Sequence, residues 1–275
     1  MQKKLPFLSL AIVFLACCTT TVCSENLFPQ RFKQARESTV RILVNDIPAG
    51  TGFAVTSGLI ATAFHVVQQI SAGNNGQTQI GYAANIKVQL TDNREFIARP
   101  HSSVLGHGLK EAVGKDIALL TVPINDLRPV KLGRFAEIKE GDGIYLVGFP
   151  LGIEQPIIAT GILSTKWKIK GYLGQGDQRD VAWLDITMNK GNSGGPVFLI
   201  ADDPAKDKVI GIANFILNPF SENAEKFAKV VADFPGSVML MDINFKEFST
   251  LIGKALASQT HGVGGCIAID NLRLP

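Results

Sequence analysis

The sequence predicts an all-β protein made of two antiparallel β-barrels, with a C-terminal helix and a short inserted helix. Three observations lead to this prediction: many short apolar or alternating runs, turns of Gly, Asn, Asp and Pro between them, and a break at 122–134 that divides the runs into two comparable groups. A chain of 275 residues, 46% hydrophobic and 19% charged, can bury the core that such a fold needs.

Residues 1–24 have the layout of a secretory signal peptide. Two lysines precede an apolar run of about 7–15 residues, and small residues follow it. Cleavage after Ser24 is favoured over lipidation of Cys17, because the lipoprotein pattern around Cys17 is imperfect. The run is shorter than the roughly 20 apolar residues of a membrane span. We therefore expect an exported protein, periplasmic or secreted, with a domain over 25–275 and no transmembrane helix.

Charge and cysteine usage exclude several classes of protein. Removing the leader lowers Lys+Arg from 27 to 25 against 24 Asp+Glu, so the formal charge falls from +3 to +1. No basic run remains, so we expect no nucleic-acid partner. Three of the four cysteines lie in the leader, which leaves Cys266 alone without a disulfide partner. Without an HExxH motif or a cysteine–histidine cluster, we expect no metal and no cofactor.

The first barrel is predicted over about 39–125, after a short helix in "LFPQRFKQARES", where Phe28, Phe32 and Ala35 have helical spacing. Its strand candidates are "TVRILV", "TGFAVT", "GLIATAFHVV", "IKVQLT", "EFIARP" and "DIALLTVP". The stretch "GTGFAVTSG" lacks the GKS/T ending of a phosphate loop, so we interpret it as a turn between strands.

The second barrel is predicted over about 135–245. Its strand candidates are "GIYLVGFP", "IIATGILST", "VAWLDIT", "PVFLI", "VIGIANFIL" and "SVMLMDI". An inserted helix is expected over 221–234, with Phe227 and Val231 on its apolar face. Apolar residues at i, i+3 and i+4 predict a packed C-terminal helix over about 245–257, and no element is predicted for the tail after it.

The segment "MNKGNSGGPVF" places Ser193 among glycines directly before an apolar run. Acyl transfer from a serine requires a base, a group that orients the base, and N–H donors for the developing oxyanion. Gly191 permits close approach of the backbone to a substrate. Ser193 is therefore the predicted nucleophile, and the N–H groups of Gly191 and Ser193 are the predicted oxyanion hole.

Several blocks occur in the order found in trypsin-like serine peptidases: "GTGFAVTSGLIATAFHVV", "KDIALLTV", "GIYLVGFPLG", "MNKGNSGGPVF" and "VIGIANFI". Over about 39–256 the chain resembles the bacterial, cysteine-poor HtrA/DegP-type peptidase domain. The resemblance implies a trypsin-like two-barrel fold and protein or peptide substrates, with His65 as general base and Asp116 as the carboxylate that orients it. A satisfied core histidine is the alternative for His65, and Asp142 and Asp185 are the competing carboxylates.

The resemblance also implies a substrate pocket. Thr187, six residues before the nucleophile, would lie at the base of this pocket. Ala213 and Phe215 would lie on the strand that forms one of its walls. None of the three is charged, so we expect cleavage after Val, Ala, Leu, Ile or Thr rather than after Lys, Arg, Asp or Glu, unless Lys190 bends in to bind glutamate.

The chain departs from the family pattern in three places. Fewer than about 20 residues follow the last predicted helix, so we do not expect the PDZ module typical of HtrA proteins. An insertion at 219–235 carries the inserted helix, which either restricts bulky substrates beside the cleft or covers a barrel end. Asn192 stands where digestive relatives have an aspartate that pairs with a newly cut N-terminal amine, so activation by that ion pair is not expected.

The predicted function is an exported serine endopeptidase. A catalytically weak or inactive peptide-binding or chaperone-like protein on the same fold is the main alternative. An esterase is a second alternative, although the "GNSGG" segment lacks the GxSxG elbow of such enzymes. The sequence leaves the oligomeric state open.

Overall fold

Two closed barrels of six strands each, all paired antiparallel, form the main part of the described fold, as the sequence predicts. The structure is a computed structural model, and it describes residues 27–72, 77–101, 109–171, 178–216, 226, 229–231, 233, 239–240, 243–244, 246–251, 263–272 and 274.

The first half of the chain supplies eight strands. They are β1 (Thr39–Val44), β2 (Ile47–Thr56), β3 (Leu59–Thr62), β4 (Gln68–Ala72), β5 (Thr78–Tyr82), β6 (Ile86–Gln89), β7 (Glu95–Pro100) and β8 (Ala118–Thr121). β4 and β5 form a separate hairpin, and the others close into a barrel in the order β1-β2-β3-β8-β7-β6.

Two expectations for this half are wrong. The strand candidate "TGFAVT" is confirmed within β2, which pairs with β1 on one edge and β3 on the other. Most of "GTGFAVTSG" is therefore not a turn, and only Ser57 and Gly58 form one. The expected strand "GLIATAFHVV" ends at Thr62, and a helical turn follows it.

Three α-helices lie among the described residues of the first half. They are α1 (Phe28–Arg36), α2 (Phe64–Val67) and α3 (Leu109–Lys115). The helical spacing of Phe28, Phe32 and Ala35 is confirmed as α1, and Ala35 is buried. α3 has only seven residues and carries a glycine, which is too short and too interrupted for its pattern to be recognised in the sequence.

The second half supplies the other barrel. Its strands are β9 (Gly143–Gly148), β10 (Ile157–Ile169), β11 (Arg179–Asp185), β12 (Pro196–Leu199), β13 (Lys208–Ile216), the short pair β14 (Met239–Leu240) and β15 (Ile243–Asn244), and β16 (Val263–Ala268). The barrel closes in the order β10-β11-β16-β13-β12-β9, while β14 and β15 pair with each other.

β16 corrects the predicted boundary near 245. It lies in the tail that was predicted to have no element, and it pairs with both β11 and β13 to close the second barrel. Two consecutive glycines, Gly264 and Gly265, remove the alternation of side chains that would indicate a strand. A Cβ at Gly264 would lie 2.1 Å from the sulfur of Met188, so this strand is glycine-rich because it packs closely.

The predicted helices therefore lie inside the connection between β13 and β16. Residues 246–251 are helical, so the helix expected over 245–257 is real there but does not end the domain. Phe248 and Leu251, expected on its packed face, are 48% and 64% exposed. In the inserted helix Lys226, 229–231 and Asp233 are helical, whereas Phe227 lies outside the described residues.

The core follows the barrels. Phe53, Ile60 and Leu119 are fully or almost fully buried inside the first barrel, and Ile144 and Leu184 inside the second. Burying each such side chain stabilises the folded state by about 1.5–3 kcal/mol. The two barrel interiors therefore supply much of the stability of a domain without disulfides. Among the described residues, no helix is long and apolar enough to cross a membrane.

Candidate active site

The predicted nucleophile loop, residues 189–195, has a backbone that only glycine adopts easily at two positions. Gly191 and Gly194 have φ values of +99° and +85°. A Cβ at Gly191 would lie 2.3 Å from the carbonyl oxygen of Phe149, and one at Gly194 would lie 2.1 Å from that of Thr51. The glycines of "GNSGG" therefore let the loop turn sharply while it packs against both barrels.

Carbonyl groups of this loop accept hydrogen bonds from other backbone groups. The Leu151 N–H donates to the Lys190 carbonyl at 2.7 Å, and the Gly195 N–H donates to the Asn192 carbonyl at 2.9 Å. No hydrogen bond within the described part of the chain uses the N–H of Gly191 or Ser193. These two donors, predicted as the oxyanion hole, are thus available to an incoming oxygen.

His65 and Asp116 are brought together, as the sequence predicts. His65 Nδ1 lies 2.9 Å from Asp116 Oδ2, and the His65 backbone N–H donates to Asp116 Oδ1 at 2.8 Å. The carboxylate is fully buried, whereas the imidazole is 25% exposed toward the cleft. Because an ionised carboxylate only accepts hydrogen bonds, the contact favours the tautomer with its proton on Nδ1, which leaves Nε2 as an acceptor.

Asp116 is positioned by the end of α3. The Ile117 N–H donates to the Ala112 carbonyl and the Asp116 N–H donates to the Val113 carbonyl, which is the Schellman pattern that ends a helix. Asp116 occupies the left-handed position of that motif with φ of 56°. Glycine usually fills this position, but aspartate is among the residues that tolerate it. The helix end thus turns the carboxylate under the histidine.

The histidine is held by the packing of α2. Phe64 is fully buried and meets the ring of Tyr82 edge to face, with the centroids 5.1 Å apart. Burial raises the pKa of Tyr82 to about 12, so its hydroxyl is neutral at physiological pH. The apolar neighbours of His65 in "AFHVV" therefore anchor the turn, and the imidazole is left at the cleft.

Sequence reasoning missed two residues beside Asp116. Asn214 on β13 donates from Nδ2 to Asp116 Oδ2 at 2.6 Å, and its backbone carbonyl accepts the Ser193 hydroxyl at 3.5 Å. Arg179 on β11 places Nη1 3.7 Å from Asp116 Oδ2 and donates to the Lys115 carbonyl at 3.1 Å. Both side chains are buried, and Asn214 links the predicted carboxylate to the predicted nucleophile.

The competing carboxylates do not join this cluster. Asp185 is exposed, and Asp142 caps a turn by accepting from the Lys139 N–H. The core-histidine alternative for His65 does not fit its partly exposed ring, which contacts a buried carboxylate. Among the described residues there is no group of His, Cys, Asp and Glu that could hold a metal ion.

Two of the three residues predicted for the substrate pocket, Ala213 and Thr187, differ in their burial. Ala213 is fully buried in the second-barrel core, and its backbone exchanges hydrogen bonds with Gly194 and Gly195. Phe215 continues the same strand, opposite Gly265, and its side chain lies outside the described part of the chain. Thr187 is exposed, whereas its neighbour Met188 is buried against β16.

Comparison with known proteins gives the family. The sequence profile of the trypsin-like peptidase domain matches residues 50–212, which is more than half of the chain. The chain belongs to the trypsin-like peptidase domain family. The match takes in the segments that carry His65, Asp116 and Ser193, so the trypsin-like resemblance found in the sequence is confirmed.

Curated relatives of this trypsin-like peptidase domain are proteases of the HtrA/DegP type. The chain is 29% identical over 179 residues to a probable periplasmic serine endoprotease DegP-like from Rickettsia prowazekii, covering 64% of the chain and 30% of the relative. It is 25% identical over 246 residues to Protease Do-like 1, chloroplastic, from Arabidopsis thaliana, covering 86% and 50%. The chain thus spans about a third to a half of the length of these relatives.

Solved structures show the same fold. The HtrA-type protease AlgW with a tripeptide matches with a TM-score of 0.56 at 21% identity, covering 88% of this trypsin-like domain and 60% of that chain. The Rv3671c protease in its inactive form matches with a TM-score of 0.55 at 18% identity, covering 89% and 90%. At these identities the likeness establishes the fold alone.

Proposed function

We propose that this trypsin-like peptidase domain is an exported serine endopeptidase that uses Ser193 as nucleophile, His65 as general base and Asp116 as the group that orients the base. The observation that carries the proposal is Asn214, which contacts Asp116 with its side chain and Ser193 with its carbonyl. It ties the nucleophile of the second barrel to the carboxylate and imidazole of the first.

The geometry supports acyl transfer in two stages. The Ser193 oxygen attacks the peptide carbonyl carbon while His65 Nε2 takes the hydroxyl proton, and the carbonyl electron pair moves onto its oxygen. The N–H groups of Gly191 and Ser193 donate to that oxyanion. The imidazolium then gives the proton to the leaving amine, the C–N bond breaks, and water repeats the sequence on the acyl-enzyme.

The first test is active-site labelling with a fluorophosphonate probe, with casein hydrolysis as the second readout. The native chain should be labelled and Ser193→Ala should not. His65→Ala should lose as much hydrolysis as Ser193→Ala, because members of such a unit are not additive. Hydrolysis by either variant within about tenfold of the native rate would contradict the assigned roles.

The same experiment separates the alternatives. A peptide-binding or chaperone-like protein would bind unfolded polypeptide but leave the probe unreacted, because it lacks an activated hydroxyl. An esterase would react with the probe and hydrolyse activated esters while leaving casein intact. The endopeptidase proposal requires both labelling and casein cleavage, and both must depend on Ser193.

Small uncharged side chains before the scissile bond are the proposed specificity. None of the predicted pocket residues Thr187, Ala213 and Phe215 carries a charge, so a Lys or Arg side chain bound there would be desolvated without a partner at a cost of several kcal/mol. Preference among Val, Ala, Leu, Ile and Thr should be weak, because one methylene changes transition-state binding by about 1–3 kcal/mol. Mass-spectrometric profiling on a peptide library tests this; cuts dominated by charged residues would contradict it.

The protein is proposed to be exported to the periplasm or secreted, with cleavage of the leader after Ser24. The layout of residues 1–24 and the periplasmic naming of the DegP-like relative both support it. Expression of the full chain in a bacterial host, followed by fractionation and mass spectrometry of the N-terminus, would test the location and the cleavage site together. A lipid-modified Cys17 would favour the anchored alternative.

A further inference from the structure

Thr51 is one of the first-barrel residues that contact the predicted nucleophile loop of the second barrel. It lies on β2 and is completely buried. Its backbone N–H donates to the Ser193 carbonyl at 2.8 Å, and its carbonyl accepts the Thr62 hydroxyl at 2.7 Å. Its own hydroxyl donates to the Gly191 carbonyl at 2.6 Å and accepts the Phe149 N–H at 3.0 Å. One side-chain oxygen thus joins three segments of chain.

The Gly191 carbonyl belongs to the peptide between the two predicted oxyanion donors. The Gly191 N–H is in the preceding peptide, whose Lys190 carbonyl is held by Leu151. The Ser193 N–H is in the following peptide, whose Asn192 carbonyl is held by Gly195. Because each peptide is planar, a bond to its carbonyl also sets the direction of its N–H.

The orientation of the Gly191–Asn192 peptide sets the relative directions of the Gly191 and Ser193 N–H groups. Gly191 is the residue on which that peptide can turn most easily, since glycine has the widest choice of backbone angles. The carbonyl of Gly191 accepts the Thr51 hydroxyl. The N–H of the same peptide, that of Asn192, donates to the Asn189 carbonyl at 3.0 Å and further restricts the peptide. Without the hydroxyl, the Gly191 carbonyl and the Phe149 N–H would both lose a buried partner.

We infer that Thr51 is a positioning residue for the oxyanion hole, acting through the Gly191–Asn192 peptide. The inference rests on the proposed peptidase function and adds a residue of the first barrel to it. Thr51 makes no contact with His65 or Asp116 among its hydrogen bonds, so its effect is on oxyanion stabilisation rather than on proton transfer.

The test compares Thr51→Val, which has the same shape without the hydroxyl, with Thr51→Ser, which retains it. Thr39→Val is the matched control: Thr39 is also buried in the first barrel and also donates its hydroxyl to a backbone carbonyl, that of Ala35 at 2.7 Å. For each variant, kcat and KM on one peptide substrate, binding of a matching peptide aldehyde, and the thermal unfolding midpoint are measured.

Thr51→Val should lower kcat about 10- to 100-fold, less than the roughly 100- to 1,000-fold lost when an oxyanion donor itself is removed. KM should change little, because the oxyanion forms only after substrate binds. Affinity for the aldehyde, whose tetrahedral adduct places an oxyanion in the hole, should fall in parallel with kcat. Thr51→Ser should recover most of both values, and Thr39→Val should retain native kcat.

Two results would overturn the inference while leaving the proposed function standing: a Thr51→Val variant with native kcat, or a Thr51→Ser variant as slow as Thr51→Val. If Thr51→Val does not fold, Thr51→Cys takes its place, because a thiol is a weaker donor; native kcat in that variant would contradict the inference. If the native chain itself neither reacts with fluorophosphonate nor cleaves casein, the proposed function fails and this inference fails with it.

Discussion

At the level of single residues, side chains from three separate parts of the chain contact the Asp116 carboxylate. His65 and Asn214 hydrogen-bond to it, and the buried Arg179 guanidinium lies within 4 Å. Such contacts restrict the carboxylate to one orientation, and that orientation determines which imidazole nitrogen carries the proton. The precision of the site therefore depends on side chains that take no part in bond making.

Asp116→Asn should lower kcat by about 10⁴-fold, because an amide in this position favours the wrong imidazole tautomer. The fold should be retained, since asparagine also tolerates the left-handed backbone found at Asp116. Hydrolysis of a peptide substrate and the circular dichroism spectrum are the measurements. Asp185→Asn is the matched control and should have native activity, because Asp185 is exposed and outside the cluster; equal losses in the two variants would contradict the assignment.

Cys266 should not react with iodoacetamide in the folded protein. Burial raises the pKa of its thiol to about 12, so almost no thiolate exists at neutral pH. A chain that begins at Glu25 has no other cysteine, and mass spectrometry can therefore follow labelling directly. Labelling should occur only in denaturant, whereas an exposed control thiol in Ser57→Cys should react at once. Rapid labelling of native Cys266 would mean that β16 does not close the barrel as described.

At the scale of elements, α1 is attached to the second barrel by a buried ion pair. The Arg31 guanidinium contacts both oxygens of Asp207 at 3.0 Å, and Tyr145 donates its hydroxyl to the same carboxylate at 2.9 Å. The pKa of Asp207 is raised above its ordinary value because the carboxylate is buried. The hydrogen bonds from Ala201 and Tyr145 and the charge of Arg31 lower the pKa and offset only part of that rise. Asp207 immediately precedes β13, so the helix supports the strand that carries Asn214.

Asp207→Asn should destabilise the protein by about 3–5 kcal/mol, because it leaves the Arg31 charge buried without its partner. The double variant Arg31→Met with Asp207→Asn should be more stable than Asp207→Asn alone, since it removes that charge as well. Urea unfolding measures both. Glu137→Gln is a control that breaks the exposed pair with Arg134 and should change the unfolding free energy far less. A similar effect of the buried and exposed changes would show that the ion pair does not hold α1.

At the scale of the whole molecule, the two barrels meet at the nucleophile loop, and the chain between β13 and β16 begins and ends beside it. β13 passes Ser193 at Asn214, and Ile216 at its end is paired with Gly264 at the start of β16. The connection of residues 217–262 therefore starts and finishes at the same edge of the second barrel.

Activity should not depend on a defined N-terminus. Asn192 is buried, and a Cβ at Gly148 would lie 2.6 Å from its Oδ1, so its uncharged side chain is enclosed beside β9. It offers no carboxylate to a new N-terminal amine. Chains that begin at Glu25 and at Met-Glu25 should therefore cleave a peptide substrate at equal rates. A strict requirement for one of them would contradict this reasoning.

Features that depend on neighbouring residues are predictable from the sequence alone. Alternating runs and turns predicted the strands, and glycines around Ser193 predicted a tight nucleophile loop, because strand periodicity and backbone freedom are local properties. The family resemblance then predicted that Asp116 orients His65; the two side chains are in contact, and their catalytic roles stay a prediction. Elements without a pattern, such as the glycine-containing α3 and β16, were missed for the same reason.

Contacts between residues far apart in the chain are visible in the folded molecule alone. Asn214 reaches Asp116 across 98 residues, and the Thr51 hydroxyl reaches Gly191 across 140. Neither residue stands out in its own segment: Asn214 lies in an ordinary apolar strand, and Thr51 lies between two glycines at the start of the strand candidate "TGFAVT". Their roles arise because barrel closure brings distant strands within hydrogen-bonding distance, and that distance is a property of the packed barrels rather than of the residues beside them.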